Sequence, residues 1–296
     1  MPSLEDLKRK IESTEDLQSV VKTMKALAAV NIRQFEKAAE ALKIYNRTVE
    51  KGLQAVLQNR SRFAVTARPA EEGPVGAVIF GTDQGMCGSF NETIVSHALD
   101  TLDGLDGRAG QERLLAVGVR AMNRLLDEGR QVQKTFSVPG AVKGVTPLVQ
   151  KLILEIEQWV DRADFERVFL FYGSPQSGAA YRSRQVRLLP VDRQWLQEFK
   201  ARPWPGNQLP WFSMPWDPLF AALVREYLFV SLYRASVDSL AAENASRLAA
   251  MQGAESNIDD RLETLQGRYQ QERQMGITEE LQDIVSGFEA LKTDPG

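Results

Sequence analysis

The chain has 296 residues, 43% hydrophobic and 25% charged, which is enough apolar material for one large or two modest cores. Its formal net charge of −3 gives no general basis for nucleic-acid binding, and its single cysteine, Cys87, excludes an internal disulfide and a cysteine zinc site and fits a reducing compartment. No apolar run approaches the roughly 18 to 20 residues needed to span a bilayer, and the N-terminal MPSLEDLKRKIESTEDL has no apolar signal segment, so a soluble chain is expected.

From Leu17 the spacing alternates 4 and 3 through Val21, Met24, Ala28, Asn31, Phe35, Ala38, Leu42, Tyr45 and Val49, a heptad seam that predicts one long helix from about residue 4 to 58. The grammar then changes. GAVIF (76 to 80), RLLAVGV (113 to 119), QVQKTFSV (131 to 138) and RVFLFY (167 to 172) read as strands, with helical stretches near 90 to 103, 119 to 128 and 145 to 163 between them. That alternation predicts a mostly parallel, covered, Rossmann-like sheet, with YRSRQVRLLPV (181 to 191) as a further strand at an edge.

The stretch 202 to 218 holds Pro203, Pro205, Pro210, Pro215 and Pro218, a density that marks a connector rather than a helix. Heptad spacing resumes at Leu223, Tyr227, Val230 and Arg234 and runs through Met251, Leu262, Leu265 and Tyr269, with Asp217 expected as N-cap and Pro218 in the first turn. The expected organisation is therefore an N-terminal coiled-coil helix (1–60), an inserted α/β domain with its Pro/Trp-rich connector (61–216) and a C-terminal coiled-coil helix (217–296).

Two seams at opposite ends of one chain imply an antiparallel coiled coil of the terminal helices. Between 17 and 47 the bases Lys22, Lys25, Arg33, Lys37, Lys43 and Arg47 face only Glu36 and Glu40, whereas acids dominate from 253 onward; opposite nets favour pairing, although two solvated helix faces would give the same contrast. At 1.5 Å per residue a helix from 218 to about 290 spans on the order of 110 Å and its partner on the order of 80 Å. The C-terminal helix should outrun its partner, and a lone amphipathic helix is marginal in water unless something encloses it.

Four stretches carry a family resemblance: KTMKALAA (22 to 29), GTDQGMCGSFN (81 to 91), SLAAENASRLAAM (239 to 251) and RQMGITEELQDIVSG (273 to 287). Over nearly its whole length the chain resembles the gamma subunit of F-type ATP synthases. The resemblance implies a non-catalytic rotor shaft without cofactor or metal, present in one copy per complex at the cytoplasmic face of a bacterial inner membrane. The implied partners are a hexamer of alpha and beta subunits, an epsilon-type central-stalk subunit and a c-subunit membrane ring. It places Met24, Arg247, Arg273, Gln274 and Thr278 at the hexamer contact; Met24 is equally a seam residue by spacing, and Arg273 equally a solvated helix charge. Trp204, Trp211 and Phe212 form an aromatic group expected near the ring, with folding back onto the inserted domain as the alternative.

The chain departs from the family in reading Asp83-Gln84-Gly85 where Asp-Arg-Gly is common, and its lone Cys87 rules out the paired-cysteine switch of chloroplast relatives. Two other function classes remain. A passive coiled-coil adaptor would share the heptads and the insertion, but would dimerise through its seams. A nucleotide enzyme would use the 81–91 loop, which follows a strand and precedes a helix, yet the loop lacks Walker and G-x-G-x-x-G spacing. Cys87 with His97, the only histidine, makes a weak nucleophile and base, since no third member accompanies them.

Overall fold

The computed structural model describes residues 3–59, 75–105, 112–161, 167–176, 180–191 and 193–292. The elements are α1 (Leu4–Gln58), β1 (Val75–Phe80), α2 (Phe90–Asp103), β2 (Arg113–Val117), α3 (Val119–Asp127), β3 (Val132–Phe136), α4 (Val145–Asp161), β4 (Arg167–Pro175), β5 (Tyr181–Leu189), α5 (Arg193–Ala201) and α6 (Trp216–Lys292). The chain forms two compact units, Ala28–Ala249 and Met1–Leu27 with Ala250–Gly296.

In the larger unit the five strands lie in the order β3-β2-β1-β4-β5, all parallel except the edge strand β5, which runs antiparallel to β4. Side chains of a strand alternate between faces, so each strand feeds two cores. Val78, Phe80, Leu115, Val117, Leu170 and Tyr172 meet α4, α6 and Phe35 of α1 on one face. Ala77, Ile79, Leu114, Ala116, Phe169 and Phe171 meet α2 and α3 on the other. Covering both faces explains why β1 reads VGAVIF without a polar residue and is buried throughout. Gly76 is required by close approach, because a Cβ there would lie 2.6 Å from the Trp159 ring of α4.

The terminal helices pair antiparallel, as expected. In the larger unit Asn31 Nδ2 donates to Asn244 Oδ1 (3.2 Å) and Tyr45 Oη to Glu226 (2.6 Å); in the smaller, Gln18 meets Asp259 and Lys25 meets Glu255. Within each unit the α6 number falls as the α1 number rises.

One column of the expected seam, at Val21, Ala28, Phe35 and Val49, is buried and extends back to Leu7. In the other column Met24, Asn31 and Ala38 are half-buried as expected, whereas Leu17 is 56% and Tyr45 45% exposed and the residues after them, Gln18 and Asn46, are half-buried. At the first of these positions an apolar count steps to Leu17, but it is the polar Gln18 that meets Asp259 of α6. Asp217 sits in the first turn of α6, not at its cap, because the helix begins at Trp216. The sequence reading also passed over α5, whose Leu196 and Phe199 close over Leu57 at the end of α1. Nine residues offer too few turns for an unambiguous helical period.

Phe35 is 2% exposed and ties α1 to the sheet, so Phe35→Ala should cost about 3–5 kcal/mol of unfolding free energy, whereas Ile44→Ala, at 71% exposure, should stay within about 0.5 kcal/mol. Urea denaturation of the two variants checks the contrast.

Candidate functional site

The turn between β1 and α2 is tied down along its length. Gly81 N donates to Val117 O (2.7 Å) and Arg120 N to Thr82 O (2.9 Å). Thr82 N donates to Asn91 Oδ1, and Asn91 Nδ2 returns a bond to Thr82 Oγ1, each at 2.9 Å. Asp83 accepts from Val119 N (3.0 Å) and Val138 N (2.8 Å), so its carboxylate sits on the first residue of α3, where free amides and the helix dipole favour an anion. The chain approaches closely here because Gly118, at φ 105°, precedes α3: a Cβ would lie 2.6 Å from Thr82 N. Asp83 thus occupies the first amide of α3, whereas α2, the helix that the loop precedes, has no side-chain cap.

The loop is also clamped to α6. Ser246 Oγ donates to Cys87 O (2.6 Å), and Arg247 Nη2 reaches Gly85 O (3.4 Å) while pairing with Glu243 at 2.8 Å. Met86, between the two clamped carbonyls, has φ 59° and is 60% exposed. Arg247, which the resemblance assigned to a partner contact, thus spends its guanidinium within the chain. Glu243 is 6% exposed, and burial pushes its carboxyl above the ordinary range against the pull of Arg247, with Asp83 adding to the rise. Sequence reasoning passed over Glu243; the available signal was an acid inside the small-residue run SLAAENASRLAA.

Cys87 and His97 do not form a nucleophile–base pair. The thiol is buried beside Thr82, Gln84 and Asn91, and burial pushes its pKa up; His97 packs edge-on against Phe171 with centroids 6.0 Å apart.

Along α6 in the smaller unit, Met251, Leu262 and Leu265 are buried, and exposure then rises: Ile277 is 49%, Leu281 57%, Ile284 68% and Val285 56% exposed. Ile277, Leu281 and Ile284 keep the 4 and 3 spacing of a seam with no facing helix among the described residues. Arg273, Gln274 and Thr278 are exposed on this stretch, and Thr278 Oγ1 donates back to Gln274 O (2.8 Å). In the same unit, half-buried Met24 lies among Leu17, Val20 and Leu27, each more than half exposed.

The connector after α5 is pinned at both ends: Gln54 Nε2 donates to Arg202 O (2.9 Å) and Trp216 Nε1 to Val56 O (3.0 Å). Between these anchors Trp204 and Phe212 are half-buried, and Trp211 is 86% exposed.

A family model described as ATP synthase matches residues 3–291. The chain is similar to proteins named ATP synthase gamma chain from Campylobacter concisus (26% identical; 99% of this chain, all of the relative) and Syntrophobacter fumaroxidans (28%; 99% of this chain, all of the relative). Its fold is similar to a chain in the Euglena gracilis mitochondrial ATP synthase rotor (TM-score 0.61, 15% identical, 93% of this chain and 98% of that one). A second similar chain comes from the central stalk and c-ring of the Tetrahymena thermophila mitochondrial ATP synthase (TM-score 0.57, 20% identical, 79% and 99%).

The buried Glu243 has a definite pH signature. Its folded-state pKa lies above its unfolded value, so the folded chain holds this proton to higher pH; the group's contribution is full below the ordinary glutamate range and is lost as pH rises through the folded pKa. Denaturant titrations at a series of pH values should show the wild type losing stability relative to Glu243→Gln from about pH 4 upward. A difference independent of pH would assign Glu243 no such shift.

Proposed function

The chain belongs to the ATP synthase gamma-chain family, and from that premise we propose that it is the central rotor shaft that couples ion flow through a membrane ring to ATP synthesis or hydrolysis in a surrounding hexamer of alpha and beta subunits. The observation that carries the proposal is the end of α6, where Ile277, Leu281, Ile284 and Val285 present apolar surface to solvent on a helix whose preceding turns are paired. Helical surface of that kind is stable only when enclosed. An axial cavity in the hexamer is the enclosure that fits.

Transmission of torque needs an element that resists twisting and differs in what it presents to each neighbour. In the smaller unit α1 and α6 are locked by Lys25–Glu255 and Gln18–Asp259, which supports stiffness. Beyond Gly276 one helix continues without a facing helix among the described residues, which supports asymmetry. Coupling then consists of different contact energies between each hexamer conformation and each shaft angle. Exposed Arg273, Gln274 and Thr278 supply polar grips on that surface, and Met24 a further contact. Arg247 contributes through the loop it holds.

In this role the subunit has no catalytic site of its own, and nucleotide chemistry resides in the hexamer. It acts as a peripheral subunit in one copy per complex, at the cytoplasmic face of a bacterial inner membrane, with an epsilon-type subunit and the c-subunit ring as its other partners. No helix among the described residues is long and apolar enough to cross a membrane. The exposed Trp211, with Trp204 and Phe212 beside it, is the surface offered to the polar loops of the ring.

Truncation after Gly276 removes, among the described side chains, the exposed Ile277, Leu281, Ile284 and Val285, each contributing about 1.5–3 kcal/mol when fully enclosed. The truncated subunit should fold and assemble, keep part of its ATP hydrolysis, and pump fewer ions per ATP. Arg273→Ala with Gln274→Ala should act in the same direction, because charge-assisted bonds made at only some angles would be lost. Pumping per ATP in membranes carrying equal amounts of complex measures both; an unchanged ratio would remove this stretch from the coupling contact.

Cysteines placed at Asn207 and Ser213 should crosslink to ring subunits in the assembled complex. Absence of crosslinks at both positions would instead favour the connector folding back on its own domain.

A further inference from the structure

In the larger unit a cavity of about 10 Å³ lies where α6 meets the β1–α2 turn at Gly81 and the loop from β3 to α4 at Pro139. Its apolar walls Phe80, Val117, Leu148 and Leu240 are each at most 5% exposed, and the two serines that α6 contributes, Ser236 and Ser239, are 1% and 4% exposed.

The two hydroxyls differ in how they are satisfied. Ser236 Oγ donates to Leu232 O (2.8 Å), the usual bond of a serine inside a helix. Ser239 Oγ makes no such bond, and among the described residues this buried atom has no hydrogen-bond partner. A buried hydroxyl left unpaired loses its hydration without replacement, so native interiors rarely keep one.

Size and chemistry select the partner. A single water needs on the order of 10–15 Å³ for its centre, so this cavity admits one water and nothing larger. No charged side chain lines it, so an ion has no advantage over a neutral molecule. Residues three apart on a helix have Cβ atoms about 5–6 Å apart, a span that one water covers with two hydrogen bonds of about 2.8 Å. Ser239 Oγ can donate or accept, and Ser236 Oγ keeps its lone pairs after giving its proton to Leu232 O.

We propose that one internal water occupies this cavity and bridges Ser239 Oγ to Ser236 Oγ. It adds a directional contact at the stretch of α6 that is buried on every side, and it belongs to the larger unit's fold independently of the shaft role. Val138, Pro139 and Leu240 also wall an outer pocket of about 190 Å³ that holds Asn31, Asp83 and Arg247. The water therefore exchanges through local opening of the loop at Pro139, without global unfolding.

Two measurements on the full chain test this. Urea unfolding of the wild type, Ser236→Ala, Ser239→Ala and the double variant closes a cycle in which the helix preference for Ala cancels. Two hydroxyls that share one water should couple, so that the double variant's unfolding constant departs from the product of the single effects by roughly threefold or more. Nuclear magnetic cross-relaxation in the wild type should show a long-lived water beside the Val117 and Leu240 methyl groups. Additive effects in the cycle would overturn the proposal, leaving Ser239 unbridged. Coupling without water cross-relaxation at either methyl position would also overturn it, because the hydroxyls would then interact in a dry cavity.

Discussion

The burial of α6 on every side from Ala235 to Ser246 is the constraint on which the larger unit depends. Each of these twelve residues is buried, and most of them are Ala or Ser. Leu240 and Ala241 join the core shared with Phe35 and one face of the sheet, whereas Ala242 joins the core of the opposite face. A helix can serve two cores at once only where its side chains are small enough for other backbones to approach. Gly173 meets the same limit from the sheet side: a Cβ there would lie 2.9 Å from the Ala242 Cβ and 2.7 Å from the Phe90 ring. A helix buried all round then has to satisfy its polar groups internally. Ser236 donates to Leu232 O, Asn244 to Leu240 O and Ser246 to Cys87 O.

Those polar side chains also determine what the neighbouring loop can be. A Gly-rich turn between a strand and a helix is a common frame for phosphate, and the sequence GTDQGMCGSFN has the composition for it. Here Asp83 takes the amides of Val119 and Val138, Ser246 and Arg247 reach the carbonyls of Cys87 and Gly85, and Met86 faces solvent together with Gln84, Gly88 and Ser89. The loop is therefore held at both Gly85 and Cys87 by α6. Arg247 matters through its grip on Gly85, with Glu243 holding its other side, and the buried pair contributes geometry more than stability because desolvation offsets most of the attraction.

The pairing of α1 with α6 follows a different logic. One column of the α1 seam is apolar, at Leu7, Val21, Ala28, Phe35 and Val49; the other carries Gln18, Lys25 and Asn46. Polar seam residues sacrifice some apolar burial but specify register, since Lys25 meets Glu255 and Gln18 meets Asp259 only in one alignment. For a shaft, register is the property that matters, because a slip of one heptad would rotate and shift every contact farther along. The apolar column supplies cohesion and the polar one alignment, while Ile277, Leu281 and Ile284 near the end of α6 face no helix among the described residues.

By itself the sequence determined the helix–sheet–helix order, the mostly parallel sheet with an edge strand at 181–191, the antiparallel pairing of the two long helices and the family. Those features rest on periodicities repeated over many residues, so a few ambiguous positions do not alter them. Only the tertiary structure decided that Gln18 rather than Leu17 meets α6, that Asp83 occupies the start of α3, that Arg247 turns inward to Glu243 and Gly85, and that α5 closes over Leu57. Each of these turns on one side chain finding a partner far away in the chain. A period of 3.5 or 2 places a residue on a face, but the groups that come to meet it there are brought by the folded backbone.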